Sequence, residues 1–218
     1  MSRHNMDVSH WVEVSGYRMP QRYAGHPALE FCNTWAGWGE PPRPEREWLK
    51  DYDGFAVWAG YVELLDPTEV ARLRREAREA SLTASQVLER AHELRGALYQ
   101  VFIEPDDAAA FRLVAETARR AMASAELVDE PSGPGRPERT ARWRLPTSLG
   151  LEQPLLAVAR AGAYLLCSPD RSRVRSCPGE DCGWLFIDRH GRRRWCSMNT
   201  CGNRAKVRAH AERQRQNS

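Results

Sequence analysis

The 218-residue sequence predicts a mainly α (α+β) protein: a helical N-terminal domain with one small β-hairpin, then a small C-terminal domain of short strands and one helix. Three observations carry this. Apolar residues recur at helical spacing through most of residues 27–167, with cap and proline signals at the segment ends. The stretch 126–146 changes to turn-rich, strand-favouring composition. Beyond residue 170, four cysteines fall into two short-spaced pairs within a strongly basic segment.

Residues 1–22 read as an N-terminal segment with a short strand at Trp11–Tyr17. Pro27 suits a first helical turn, and Leu29, Cys32 and Ala36 follow at helical spacing, which predicts a short helix to Trp38. Glu40 to Pro44 is a proline-rich break. Phe55, Trp58, Val62 and Leu65 give the apolar stripe of a helix over 51–65. Asp66-Pro67, an N-cap acid followed by proline, starts another, running to about Ala80. A long helix over 83–103 has Val87, Leu94, Leu98 and Val101 as its core stripe and Ser85 as a candidate cap. Pro105 opens the next, to about Ser124, with Asp106 and Asp107 near its positive end. Residues 126–129 and 139–145 pair as a hairpin around the turn-rich Pro131–Gly135. Leu151 to Cys167 is a largely buried helix with Pro154 in its first turn. Ser168-Pro169-Asp170 ends it, giving domains at 23–170 and 171–218 after the initial segment.

A hydrophobic share of 42% beside a charged share of 28% is enough to build a core, so the chain is not a disordered one. It has no apolar run of eighteen residues, so a membrane span is not expected. The polar first ten residues lead into no signal-like apolar region, and the expected compartment is the cytoplasm. Thiols stay reduced there, so the cysteines are read as ligands or core residues before disulfides. Cys32 and Cys167 stand apart in apolar surroundings and are expected to be small buried residues.

The spacing Cys177-x4-Cys182-x13-Cys196-x4-Cys201 is that of a two-knuckle metal site. Four thiolates satisfy the tetrahedral preference of Zn²⁺ and leave no open position for water, so one structural zinc is expected. A domain of this size has little core of its own, and the metal must contribute to its folding. Trp184, Phe186 and Trp195 supply the apolar remainder, and Trp184 to Ile187 alternates as in a strand.

Charge is divided unevenly. Residues 171–218 hold twelve Arg and Lys against four Asp and Glu, a net +8, while residues 1–170 carry −5. A basic segment beside a mildly acidic body points to a polyanion partner. The chain after Cys201 reads as a helix starting at the metal, with Arg204, Arg208 and Arg215 along one face and Val207 placed to pack on the metal core. Arg192, Arg193 and Arg194 lie between the cysteine pairs. Together with Asn203, Arg204, Lys206 and Arg208 they form a candidate DNA-binding set, since such a helix fits a major groove and its cations neutralise phosphates. The alternatives are a solvated basic helix, a protein-binding adaptor, or an RNA binder in which Trp184 and Trp195 stack on bases instead of packing in the core.

Cys182-Gly-Trp-Leu-Phe-Ile-Asp188, Arg193-Arg-Trp-Cys-Ser-Met198 and Cys201-Gly-Asn-Arg-Ala-Lys206 resemble the CGNR zinc finger. Ala24-Gly-His-Pro-Ala-Leu-Glu-Phe-Cys-Asn-Thr34 resembles the opening motif of the ABATE domain, which precedes that finger in bacterial proteins. The resemblance covers nearly the whole chain. It implies a stress-induced transcription regulator that binds DNA, with the four cysteines as metal ligands.

His26, Glu30, Asn33 and Trp35 cluster near Trp38, Trp48 and Trp58, and are candidates for a small-molecule effector pocket in the N-terminal domain. The other reading makes the tryptophans core and has His26 and Asn33 satisfy buried backbone groups. His26 with Glu30 could also serve acid–base chemistry, but the sequence carries no nucleophile elbow, phosphate loop or open metal motif, and no enzyme is expected. A homodimer is compatible with the symmetric sites that regulators commonly use.

Overall fold

The computed structural model describes residues 11–39, 44–130 and 140–216. The first ten residues, most of the Glu40–Pro44 break and the Pro131–Gly135 turn lie outside them. No helix among the described residues is long and apolar enough to cross a membrane.

Strands β1 (Trp11–Val14) and β2 (Tyr17–Pro20) pair antiparallel. A single strand over Trp11–Tyr17 was expected. Ser15 and Gly16 divide it, because both take positive φ, 50° and 84°, in the two-residue turn that matches strand twist. Helix α1 spans Pro27–Cys32, shorter than the expected run to Trp38. It stops at Asn33, whose side chain is bonded elsewhere, and Gly37 then turns the chain with φ 74°. Helix α2 (Tyr52–Tyr61) is capped by Asp51, whose Oδ1 accepts from Gly54 N at 2.6 Å.

Helix α3 (Pro67–Glu79) starts in a full capping box: Asp66 accepts from Thr68 N and Glu69 N, and Glu69 accepts from Asp66 N. Helix α4 (Ser81–Ile103) has no side-chain cap. Ser85 instead donates to Ser81 O inside the helix, correcting its expected role. Helix α5 spans Ala108–Ser124 and begins three residues after Pro105, because Asp107 caps it through Ala109 N and Ala110 N. The hairpin of β3 (Glu126–Glu130) and β4 (Thr140–Arg144) lies where expected. Helix α6 (Gln153–Leu166) is buried along most of its length between α1, α4 and α5. Cys167 just beyond it is exposed, contrary to expectation, because it lies at the helix C-cap where the chain turns outward.

The main core joins α1, α2, α4 and α6 through Phe31, Phe55, Trp58, Leu94, Leu98 and Leu155. A third hairpin, β5 (Val174–Ser176) with β6 (Leu185–Ile187), leads into the four cysteines. A wide turn at Met198–Gly202 then feeds the last helix, α7 (Asn203–Gln216).

Candidate metal centre and basic surface

Alternation along one short strand builds the base of the metal site. Successive side chains of a strand point to opposite faces. Leu185 and Ile187 join Val174 in the main helical core, while Trp184 and Phe186 pack with the four cysteines. The same four residues thus face two cores.

Cys177 follows β5, Cys182 closes the turn before β6, Cys196 follows the arginine loop, and Cys201 lies in the turn before α7. All four are buried, and their Sγ atoms lie within 4.8 Å of one another. Cys182 Sγ to Cys196 Sγ is 3.7 Å and Cys196 Sγ to Cys201 Sγ is 3.6 Å. A tetrahedron with metal–sulfur bonds of about 2.3 Å has edges of about 3.8 Å, and these two separations match it. The crowding also divides the thiols. Hydrogen bonds from Cys182 and Cys196 hold the Cys177 thiol down at about 7, and hydrogen bonds from Cys177, Cys182 and Cys196, aided by Arg204, hold Cys201 far below the ordinary thiol range. Cys182 and Cys196 are driven up by the same neighbours, and a bound cation would relieve the repulsion among thiolates held this close. The four-cysteine finger binds one structural zinc.

Two glycines permit close approaches here, one to Trp38 and one to the sulfurs. Gly183 has φ 67°, and a Cβ there would lie 2.7 Å from Trp38 Cβ. A Cβ on Gly179 would lie 3.0 Å from Cys201 Sγ.

The finger is bolted to the segment 23–38. Asn33 Nδ2 donates to Leu185 O at 2.9 Å, and Leu185 N donates to Asn33 Oδ1 at 2.8 Å, a reciprocal pair with Asn33 fully buried. Trp184 Nε1 donates to Trp35 O at 2.9 Å, Gly37 N to Cys182 O at 3.1 Å, and Ile187 N to Ala24 O at 2.9 Å. Tyr99 adds its hydroxyl to Gly183 O and stacks on Trp38 at 3.9 Å.

These bonds determine where the effector candidates lie. Asn33 bonds to the finger through Leu185 and Trp35 through its carbonyl, while the Trp35 ring lies by Arg95. His26 and Glu30 do meet at a shallow cleft of about 200 Å³, with Arg22 and Val62. His26 Nδ1 caps α1 by accepting from Ala28 N, and burial lowers its pKa. Glu30 accepts from Tyr23 N, Ala24 N and Gly25 N. Burial pushes its carboxyl up to about 7, against the opposing pull of those three N–H groups.

The candidate DNA residues separate in the same way. Arg193 turns inward: its Nη2 donates to Tyr23 O at 2.6 Å and to Cys196 O, its Nε to Trp195 O, and its guanidinium lies 4.4 Å from the Phe186 ring centre. Arg192, Asn203 and Lys206 are exposed, and so is Arg194, which lies over Trp195 at 5.1 Å. Arg208 pairs with Glu180. Arg204 reaches back to Cys201 Sγ at 3.3 Å. Val207, expected against the metal core, is 62% exposed, because the helix leaves the cluster after its first turn. Sequence reading missed the inward role of Arg193 and the docking role of Tyr23 and Trp38. Arg192 and Arg194 are chemically identical to Arg193, so only the fold tells them apart.

Residues 25–169 match the ABATE family, described as "Putative stress-induced transcription regulator", and residues 173–214 match the CGNR zinc finger. A search of curated proteins found no match to the chain. Neither matched family is an enzyme family. The chain belongs to the ABATE family of regulators and carries a CGNR zinc finger after the ABATE region.

Proposed function

We infer that the protein is a transcription regulator whose finger binds duplex DNA. The observation that carries this is α7. Apart from half-buried Ala205 and Ala209, its described side chains are exposed. A helix polar on all sides gains little from tertiary packing and needs either strong local nucleation or a partner. The cysteine cluster supplies the nucleation at Cys201. The exposed cations on and beside it, Arg192, Arg194, Lys206, Arg213 and Arg215, make a partner rich in phosphate the natural one. In this reading residues 171–218 bind DNA, and residues 23–170 dimerise or take up an effector. The protein works in the cytoplasm, where zinc thiolates stay reduced.

A protein-binding finger is the second reading, favoured by exposed Met198 and Val207. RNA stacking loses ground, because Trp184 is buried and its indole N–H is bonded to Trp35 O.

The test is selection from random duplexes by the zinc-loaded full chain, followed by titration of the best site at several salt concentrations. Arg192→Ala, Arg194→Ala and Lys206→Ala combined should lower the slope of log K against log salt by about 2 to 3, at about 0.9 for each phosphate no longer neutralised. An unchanged slope, or no enriched site with the native protein, overturns the DNA reading.

A further inference from the structure

We propose that Arg204 is an outer-sphere partner of the zinc site: its guanidinium caps the Cys201 sulfur, stabilises the bound metal and anchors the start of α7, instead of reading DNA.

The geometry follows from helix direction. Side chains on a helix lean toward its N-terminus and over the turn three or four residues back. Arg204 is the second residue of α7 and Cys201 lies three positions before it. The guanidinium therefore returns over the cluster, with Nη2 at 3.3 Å from Cys201 Sγ. Among the described residues it is the one charged side chain within hydrogen-bond distance of a cluster sulfur. Arg204 also lines a small cleft, about 180 Å³, together with Cys182, Cys196, Cys201, Trp48 and Thr200.

The chemistry gives this interaction a purpose. Four thiolates on one Zn²⁺ leave a net charge of about −2 in a buried site, and hydrogen bonds from a second layer of groups are the usual compensation. A guanidinium on the sulfur supplies both a charge and a directed N–H. The neighbouring acid Glu180 does not compete for it, because Arg208 holds that carboxylate.

The proposal rests on the zinc site and is independent of the DNA reading, so its test uses no nucleic acid. Full-length native protein, Arg204→Met, Arg204→Lys and, as controls, Lys206→Ala and Arg213→Ala would be loaded with zinc and titrated with a chromophoric chelator. Arg204→Met should hold zinc about 10- to 100-fold more weakly, the range for removal of an outer-shell partner. Arg204→Lys should fall between it and the native protein, and both controls should stay within about twofold of native. Cobalt replacement gives a second readout through thiolate-to-metal absorption bands, which should shift in Arg204→Met while the bands of the controls stay in place. If Arg204→Met cannot be purified folded, Arg204→Lys alone decides by its zinc affinity. Native zinc affinity and unshifted cobalt bands in the Arg204 variants would overturn the proposal.

Discussion

Replacing Asn33 by alanine tests whether the finger and the helical body are one folded unit. Asn33 makes two hydrogen bonds to the backbone of Leu185, at 2.9 and 2.8 Å, and neither residue is exposed. Alanine leaves one buried N–H and one buried C=O without partners. Each orphaned group costs about 1–3 kcal/mol, so the variant should lose about 2–6 kcal/mol. For a chain of this length each 1 kcal/mol lowers Tm by about 2–4 °C, so the fall should be at least about 4 °C. The assay is calorimetry of the zinc-loaded chain, with tryptophan fluorescence and far-UV dichroism followed in parallel. Both probes should move together, because Leu185 and Ile187 lie in the same core as Leu98 and Leu155. A Tm within about 1 °C of native would refute the docking role, since even one orphaned group should shift it further, and Asn33 would then return to the effector candidates. An effector role alone predicts little change in the stability of the free protein.

Two further outcomes follow from the same structure. Removing zinc with a chelator under reducing conditions should lower Tm of the whole chain by more than about 10 °C, since structural zinc is worth roughly 10 kcal/mol or more in small fingers. Strand β6 passes the effect to the helical core. An unchanged melt of the helices would separate the two parts. Glu30 gives a pH test: its carboxyl is raised from an ordinary 4.5 to about 7, so the folded chain binds the proton more tightly than the unfolded one. Its contribution is present in full below about 4.5 and is lost as pH rises toward 7. Denaturant unfolding across that window should show native stability declining relative to Glu30→Gln; parallel pH profiles would remove Glu30 as the source.

Much of the fold was legible in the sequence because its signals are local. Asp66 and Pro67 act on the backbone beside them, and the capping box appears where those residues place it. The hairpin flanking the 131–139 segment follows from composition in the same way. Boundaries failed where a distant group intervened. After α1 the backbone pairs with distant segments, Ala36 N with Arg46 O and Gly37 N with Cys182 O, and no periodicity encodes that. Cys167 and Val207 were misplaced for a related reason: apolar character states a preference for burial, but whether a surface exists to receive it depends on which way a helix leaves the core.

By itself, the sequence determined the chemistry of the metal site. Ligand type and spacing decide what four thiolates can hold, and chain connectivity keeps each pair together. Net charge is a property of composition, so the basic character of residues 171–218 was equally determined. Tertiary structure alone decided which arginines remain free. Arg193 is spent on the carbonyls of Tyr23 and Cys196, Arg204 lies on a sulfur, and Arg192 and Arg194 stay in solvent. It also decided that the motif around Asn33 holds the finger. Both outcomes depend on long-range hydrogen bonds, whose partners are set by the path of the chain through space and not by neighbours in sequence.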